Sequence, residues 1–93
     1  MDDVIENLLN ALVRELILNP DALKIEKDTS AEDGLIVYRV IVDESDMGRI
    51  IGKQGRIAKS IRNIARAAAV KNDMKIAVEI GWIIVLNWVF ATG

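Results

Sequence analysis

Apolar residues recur at helical spacing near the start of the chain and then alternate with polar residues. The apolar positions that share one helical face of the first stretch are Val4, Ile5, Leu8, Leu9, Leu12 and Leu16. This spacing predicts an amphipathic helix, which should end near Asn19 because Pro20 disfavours helical geometry in the residue before it. Residues 23–27 (LKIEK) alternate apolar and charged side chains, which is typical of a half-buried strand.

The next apolar stretch predicts a central strand. Residues 35–42 (LIVYRVIV) are rich in β-branched residues and nearly all apolar, so we expect a strand that is covered on at least one face. Tyr38 lies in this strand and is expected in the core. Residues 28–34 have the composition of a loop and end in glycine, which predicts a loose hairpin between the first two strands.

Two helices and a third strand complete the predicted pattern. A short helix over residues 44–51 follows acidic residues, with Asp43 as its N-cap and Asp46 in the position of a capping box. A longer helix is predicted over 55–70, and residues 74–80 alternate as a third strand. The order is α-β-β-α-α-β, which predicts an α+β fold with a three-stranded mixed sheet packed on helices.

The chain of 93 residues is long enough for a single modest core. We predict one domain over residues 1–80 and an apolar tail of unassigned role over 81–93. The chain begins Met-Asp-Asp, which is acidic where the charged region of a signal peptide should be basic. The longest apolar run, residues 82–91, has half the ~20 residues that a membrane-spanning helix needs. A cytoplasmic protein without a membrane span is therefore expected.

The chain contains neither cysteine nor histidine. Disulfides, thiolate metal sites and thiol nucleophiles are thereby excluded, and the usual general base near neutral pH is absent. The cluster of Asp43, Glu44 and Asp46 is explained more simply by helix capping than by a metal ion. We predict that the protein is not an enzyme and that it has no cofactor and no metal.

Charge is distributed very unevenly along the chain. Residues 1–48 carry 4 basic and 12 acidic side chains, whereas residues 49–75 carry 8 basic side chains and a single acidic one, Asp73. The formal net charge of −2 therefore conceals a strongly positive segment. A local positive field of this kind attracts anionic partners.

The positive segment contains the longer helix, whose faces separate by residue type. At 100° per residue, one arc of about 60° holds four apolar residues that we expect to pack on the sheet, namely Ile57, Ile61, Ile64 and Ala68. The opposite side holds four cations that we expect in water, namely Arg56, Lys59, Arg62 and Arg66. Alanines fill the flanks of the helix.

The two helices meet at a short turn, Gly52-Lys53-Gln54-Gly55, that suits phosphate binding. Glycine lacks a Cβ atom, so another molecule can approach the backbone closely and unusual φ values are allowed. Lys53 adds charge, and the start of the following helix directs unpaired N–H groups into the same space. A helix C-cap without any ligand is the plain alternative. A nucleotide-binding loop is rejected, because Gly48 and Gln54 break its glycine spacing and its hydroxyl position.

The pattern IIGKQGRI, residues 50–57, resembles the GXXG signature of KH domains, in which a loop between two helices clamps the backbone of about four nucleotides. The helix pair and the element order agree with that fold, and the α-β pair ahead of the core is similar to the type II KH arrangement. Together with NPD after the first helix, DMGRIIGKQGRIAKSIRNIARAAA and VEI, the motif looks like the KhpA family of small bacterial single-KH proteins. The resemblance covers about residues 2–80.

The resemblance implies binding of single-stranded RNA, in a post-transcriptional regulator or RNA chaperone tied to cell elongation and division. It also implies a homodimer, or a heterodimer with a larger KH-containing protein called KhpB or Jag. The chain departs from the family in its tail 81–93, since family members usually end soon after the last strand. The residues expected to contact RNA are Arg49, Ile51, Gly52, Lys53, Gln54, Gly55, Arg56, Lys59, Arg62 and Arg66.

Two other functions compete with RNA binding. A helix-turn-helix DNA reader would place the longer helix in the major groove, with Arg56 and Lys59 near its start. A protein-interaction adaptor would act through the apolar tail. For RNA, we expect the base-contacting groups to be mostly apolar, from Ile50, Ile57, Ile61 and residues 36–42, which favours contact and shape over a strict sequence code.

Overall fold

The structure is a computed structural model that describes residues 3–29 and 33–81. The tail over 82–93, and with it the predicted role of that tail, lies outside the described residues. The helices and strands are α1 (Val4–Arg14), β1 (Lys24–Asp28), β2 (Ile36–Ile41), α2 (Met47–Ile51), α3 (Arg56–Lys71) and β3 (Ile76–Gly81). This confirms the predicted α-β-β-α-α-β order. Three short 3₁₀ turns lie between them, at Pro20–Ala22, Glu44–Asp46 and Lys53–Gly55.

The three strands form one mixed sheet in the order β1-β2-β3. β1 pairs antiparallel with β2, as the hairpin predicted, and β2 pairs parallel with β3. The parallel pair is connected by α2 and α3, because parallel neighbours need a long crossover. β2 is the central strand and β3 is an edge strand of the described sheet, which decides which backbone groups are open to a ligand.

The core lies between the sheet and the two longer helices. Its fully buried members include Ile5, Leu9 and Val13 from α1 and Tyr38 and Val40 from β2. The predicted core position of Tyr38 is therefore confirmed. No helix among the residues that the structure describes is long and apolar enough to span a bilayer.

The buried face of α1 differs from the predicted one. Val4 is 52% exposed, while Val13, which the pattern did not select, is fully buried. The helix ends at Arg14 rather than near Asn19. The backbone N–H groups of Leu18 and Asn19 donate to the Asp46 carboxylate, each at 3.0 Å, so they are not available to extend the helix.

A polar cluster joins the start of α1 to the sheet. Asp3 caps α1 by accepting from the Glu6 N–H at 3.0 Å, and it also accepts from the Tyr38 hydroxyl at 3.0 Å and pairs with Lys27 at 3.0 Å. Burial raises the pKa of Tyr38 above its ordinary range, and the hydrogen bond to Asp3 adds to that effect. Tyr38 thus fills the core with its ring while its hydroxyl has a charged acceptor.

The buried face of α3 also differs from the predicted one. Its buried residues are Ala58, Ile61, Ala65 and Ala69, whereas Ile64 is 45% exposed. Ile61 is buried and Ile57 and Ala68 pack against the core, as predicted, but the centre of the packing face is shifted toward the flank alanines. Ile64 lies about 100° from that centre and is the predicted packing residue that the structure leaves exposed. The small alanine side chains beside Ile61 allow α3 to approach the sheet and α1 closely.

Candidate nucleic-acid interface

The turn between α2 and α3 has an unusual backbone. Gly52 has φ 72° and ψ −179°, Gln54 has φ 57°, and Gly55 has φ 73°. The Gly52 conformation belongs to a region that is open almost exclusively to glycine. Three of the four residues in the turn thus have positive φ, which reverses the chain between the helices within a very short distance.

Gly52 is also held by a close contact with α3. A Cβ atom at this position would lie 2.5 Å from Cγ1 and 2.9 Å from Cβ of Ile57. A Cβ atom at Gly55 would meet nothing within 4 Å. The two glycines therefore have different roles: Gly52 lets the helices pack against each other, and Gly55 leaves open space above the turn.

Backbone hydrogen bonds hold the turn in place. The Gly52 N–H donates to the Gly48 carbonyl at 2.9 Å, and the Gly55 N–H donates to the Gly52 carbonyl at 3.3 Å. Gly55 is the N-cap of α3 and has no side chain that could accept from the first N–H groups of that helix. The positive end of a helix of 16 residues therefore remains uncapped beside Lys53.

Most of the predicted RNA-contacting cations surround this turn and extend into water. Lys53, Arg56, Lys59 and Arg66 are exposed, and none of them forms an ion pair within the described part of the chain. Arg56 instead donates to the side-chain oxygen of Gln54 at 3.3 Å. At the end of α2, Ile51 and Arg49 are exposed next to the turn. The structure thus brings nine of the ten predicted residues to one surface around the turn and along α3.

Arg62 is the exception. Sequence reasoning placed its side chain in water, but it is half-buried, and its Nε donates to the backbone carbonyl of Val78 in β3 at 3.2 Å. The expectation that Arg62 points away from the sheet was therefore wrong. The reason is the rotated packing face of α3, which brings this flank of the helix over the edge strand.

The expected apolar base contacts are also restricted by the fold. Ile50 is fully buried and Ile61 is 3% exposed, so their side chains belong to the core. Strand β2 is paired on both sides, which leaves its backbone no free edge. Ile57 is half-buried under the turn against Gly52. Contacts with a base from Ile50, Ile61 or the backbone of residues 36–41 are therefore excluded in this arrangement.

Asp46 positions α2 by accepting hydrogen bonds from residues that follow α1, whereas the sequence pattern predicted that it caps its own helix. Its carboxylate is 1% exposed and accepts from the Leu18 N–H, the Asn19 N–H and the Asn19 side-chain amide, while Arg49 Nε lies 3.7 Å away. It makes no capping hydrogen bond to its own helix. The capping-box interpretation was therefore wrong for Asp46. Asp43 does cap, since it accepts from the Ser45 N–H at 3.1 Å.

The hydrogen bonds shift the titration of two carboxyl groups. The Leu18 N–H holds the pKa of Asp46 below its ordinary value of 3.8, and bonds from Asn19 overcome the opposing effect of burial. Burial alone would raise the pKa of Asp3, but bonds from Glu6, Lys27 and Tyr38 outweigh it and leave that pKa lowered as well. Both carboxylates are therefore more stable as anions in the folded chain.

The lowered pKa values predict a loss of stability in acid. A group with a depressed folded pKa contributes its full stability above its unfolded value of 3.8, and that contribution is lost as the pH falls through the folded pKa. We expect the free energy of unfolding, measured by urea denaturation, to fall steadily below about pH 4. Asp46→Asn should flatten that fall and lower stability at neutral pH. Asp21→Asn on the exposed 20–22 turn is the control, and an equally flattened curve for it would contradict the assignment.

Comparisons with known proteins agree with this geometry. The family described as KhpA/KhpB, KH domain, matches residues 6–80 of the chain. The RNA-binding protein KhpA of Listeria monocytogenes is 45% identical over 78 residues, which cover 81% of this chain and 96% of that protein. The RNA-binding protein KhpA of Clostridium acetobutylicum is 40% identical over 75 residues, covering 81% and 97%.

Two solved structures share the fold at low sequence identity. Era in complex with MgGDPNP and nucleotides 1506–1542 of 16S ribosomal RNA aligns with a TM-score of 0.59 and 19% identity. The alignment covers 84% of this chain and 29% of that one. A point variant of Aquifex aeolicus Era bound to GDP.AlF4⁻ gives a TM-score of 0.60 and 17% identity, covering 86% of this chain and 31% of that one.

Proposed function

Because this chain belongs to the KhpA/KhpB family of KH domains, we propose that it binds single-stranded RNA by clamping the sugar–phosphate backbone at the turn Gly52–Gly55. The observation that carries the proposal is the combination of an uncapped helix start, open space above Gly55 and an exposed Lys53 at one point of the surface. Its relatives are named as RNA-binding proteins and not as enzymes.

The geometry supports separate roles for the residues around the turn. Gly55 lets the RNA backbone approach the main chain, where N–H groups at the start of α3 meet a phosphate. Lys53 adds a mobile positive charge, and Arg56 lies one residue beyond the turn. Lys59 and Arg66 extend the positive surface along α3, so that a strand of several nucleotides remains near cations. Arg49 and Ile51 border the turn on the α2 side.

The helix-turn-helix reading receives less support from the same geometry. α2 has only five residues, and the pair α2–α3 is the crossover between two parallel strands. The sheet packs on the helices from one side, and the arrangement matches a KH family over 6–80. The adaptor reading depends on the tail 81–93, nearly all of which lies outside the described residues.

The cellular role and the partners of the protein are inferred from its family membership. We infer a cytoplasmic post-transcriptional regulator or RNA chaperone that acts in cell elongation and division. We further infer that it acts as a homodimer or with a larger KhpB/Jag-type partner. The support for these roles is the family match and the identity of 45% to a curated KhpA protein.

The proposal is tested by removing exposed cations individually. Arg56→Ala, Lys59→Ala and Arg66→Ala should each weaken binding to all single-stranded RNAs by a similar factor, because a phosphate contact carries no base information. Each should also lower the slope of log affinity against log salt by up to ~1. Fluorescence anisotropy with a labelled oligouridylate over a salt series measures both quantities.

The matched control is Lys24→Ala, which removes an exposed cation from β1 at the opposite edge of the sheet and should leave both quantities unchanged. Duplex DNA at the same salt concentration should bind more weakly than the RNA. Tighter binding of the duplex would instead favour the helix-turn-helix reading. Equal effects of Lys24→Ala and the three α3 variants would show that only overall charge matters.

A further inference from the structure

The sheet has two faces, and the described helices pack on one of them. Tyr38 and Val40 of β2 lie in the core with residues from α1 and α3. Successive side chains of a strand point to opposite faces, so Ile41 lies on the other face, which we call the outer face. The strand register places Lys24 of β1 and Gly81 of β3 beside Ile41 on that face.

Ile41 is buried although it lies on the outer face. Its side chain is 7% exposed, yet it does not belong to the cluster of residues that fills the core. Its cross-strand neighbours give it little cover, because Lys24 is exposed and Gly81 has no side chain. Val37, on the same face at the other end of β2, is only half-buried. The outer face is therefore covered where β2 and β3 end, and the described helices do not supply that cover.

An ion pair beside Ile41 is covered as well. Arg39 and Glu79 are partners in the register of β2 and β3, and both lie on the outer face. Arg39 Nε and Glu79 Oε2 are 3.6 Å apart, and both atoms are buried. Ion pairs on an open sheet face are normally hydrated, so the burial of these two atoms extends the covered area from Ile41 toward the middle of the sheet.

The chain leaves the sheet next to this covered area. Gly81 is the register partner of Ile41, and residues 82–93 continue directly from it. This tail of 12 residues contains Trp82 and Trp88 among its apolar residues and has no charged side chain. At ~3.3 Å per residue an extended tail could reach ~40 Å, whereas three strands are roughly 10 Å across. An apolar segment of this length is unfavourable in water unless it is covered.

We propose that the tail 82–93 lies across the outer face of the sheet of its own chain, where it covers Ile41 and the pair of Arg39 and Glu79. Attachment at Gly81 makes this contact intramolecular, so the tail meets the outer face at a high effective concentration. A partner protein that binds the tail must first release it from the sheet. The RNA-binding turn lies between the helices, so this inference is independent of the proposed function.

Spin labelling tests where the tail lies. The chain has no cysteine, so one introduced cysteine can carry a nitroxide, and its two tryptophans both lie in the tail. A nitroxide on Lys24→Cys should broaden the indole N–H signal of Trp82, Trp88 or both in ¹⁵N–¹H spectra. The matched control is Ala11→Cys, an exposed position on α1, which should leave both signals sharp. Sharp indole signals with the Lys24→Cys label, or equal broadening from both sites, would overturn the inference.

A mixed sample distinguishes the chain's own sheet from that of a second copy. Spin-labelled Lys24→Cys protein at natural isotope abundance is mixed with ¹⁵N-labelled wild-type protein. Indole signals that remain sharp in the mixture, together with broadening in the singly labelled sample, are the expected result. Broadening in the mixture would show that the tail lies on another copy and would overturn the intramolecular contact.

Tryptophan fluorescence gives a second test, because its emission reports on the tail alone. Ile41→Asp should release the tail and shift the emission to longer wavelengths, whereas Val37→Asp, which places the same charge at the less buried end of the outer face, should shift it less. Equal shifts, or no shift in Ile41→Asp, would contradict the contact. If Ile41→Asp does not fold, urea denaturation of wild-type protein decides: tryptophan emission and far-ultraviolet circular dichroism should change in one coincident transition. An emission change that precedes unfolding of the sheet would overturn the inference.

Discussion

Replacing Lys53 and Gln54 together by aspartate is expected to reduce RNA affinity by about 100-fold or more. The exchange removes one positive charge and places two negative charges where the proposal puts a phosphate. Both side chains are exposed, so circular dichroism and the denaturation midpoint should remain close to wild type. Fluorescence anisotropy at one fixed salt concentration measures the loss of affinity.

The control for this variant makes the same charge change at the other end of α3. Lys71 and Asn72 are also adjacent and exposed, and replacing both by aspartate alters the net charge identically. This second variant should retain RNA affinity within a fewfold. It should lose some stability, because the Asn72 amide no longer donates to the Ala68 carbonyl and acidic groups are unfavourable at a helix C-terminus. Comparable losses in the two double variants, or wild-type affinity after the change at the turn, would contradict the proposed site.

Gly52→Ala is expected to cause a large loss of stability, about 2–4 kcal/mol in the free energy of unfolding. The new Cβ would lie 2.5 Å from Ile57 Cγ1, and the backbone angles of Gly52 are open almost only to glycine. Relief of either problem requires α2 to move away from α3. Urea denaturation measures the loss, and RNA affinity should fall with it because the turn would be displaced.

Two other glycines serve as graded controls for that variant. Gly55→Ala adds only the strain of φ 73°, with no close contact, so a loss of about 1 kcal/mol is expected. Gly48→Ala, inside α2 with open space around it, should be neutral or slightly stabilising. If all three substitutions cost the same, the contact between Gly52 and Ile57 does not determine the packing of the two helices.

The sequence predicted the order of the elements because each has a strong local signal. Alternating apolar and polar residues predicted β1 and β3, and a run of β-branched residues predicted β2. Gly52 and Gly55 located the turn between α2 and α3. The strand pairing in the hairpin also followed from local sequence. The type and the order of the helices and strands were therefore predicted correctly.

The predictions that were wrong depend on contacts between distant parts of the chain. Asp46 had the local signature of a capping residue, but its partners Leu18 and Asn19 lie 28 and 27 positions away. The centre of the packing face of α3 was mispredicted because the more hydrophobic isoleucines were expected to be buried in preference to alanines. Where α3 approaches the sheet and α1 closely, the smaller alanine side chains are favoured. The exposure of Arg62 was mispredicted for the same reason, because a rotation of α3 moves the flank that carries Arg62 from water to the edge of β3.

The position of the turn within the topology links RNA binding to cooperative folding. Gly52–Gly55 lies inside the crossover that joins the parallel strands β2 and β3, so we expect the sheet and the proposed RNA-binding turn to form in the same folding transition. If RNA binds at this turn as proposed, the unfolded chain lacks the site, and bound RNA should shift the folding equilibrium toward the native state by mass action. A substitution in the sheet that makes no contact with RNA should therefore still lower the fraction of protein that has RNA bound, in proportion to the fraction of chains that it unfolds.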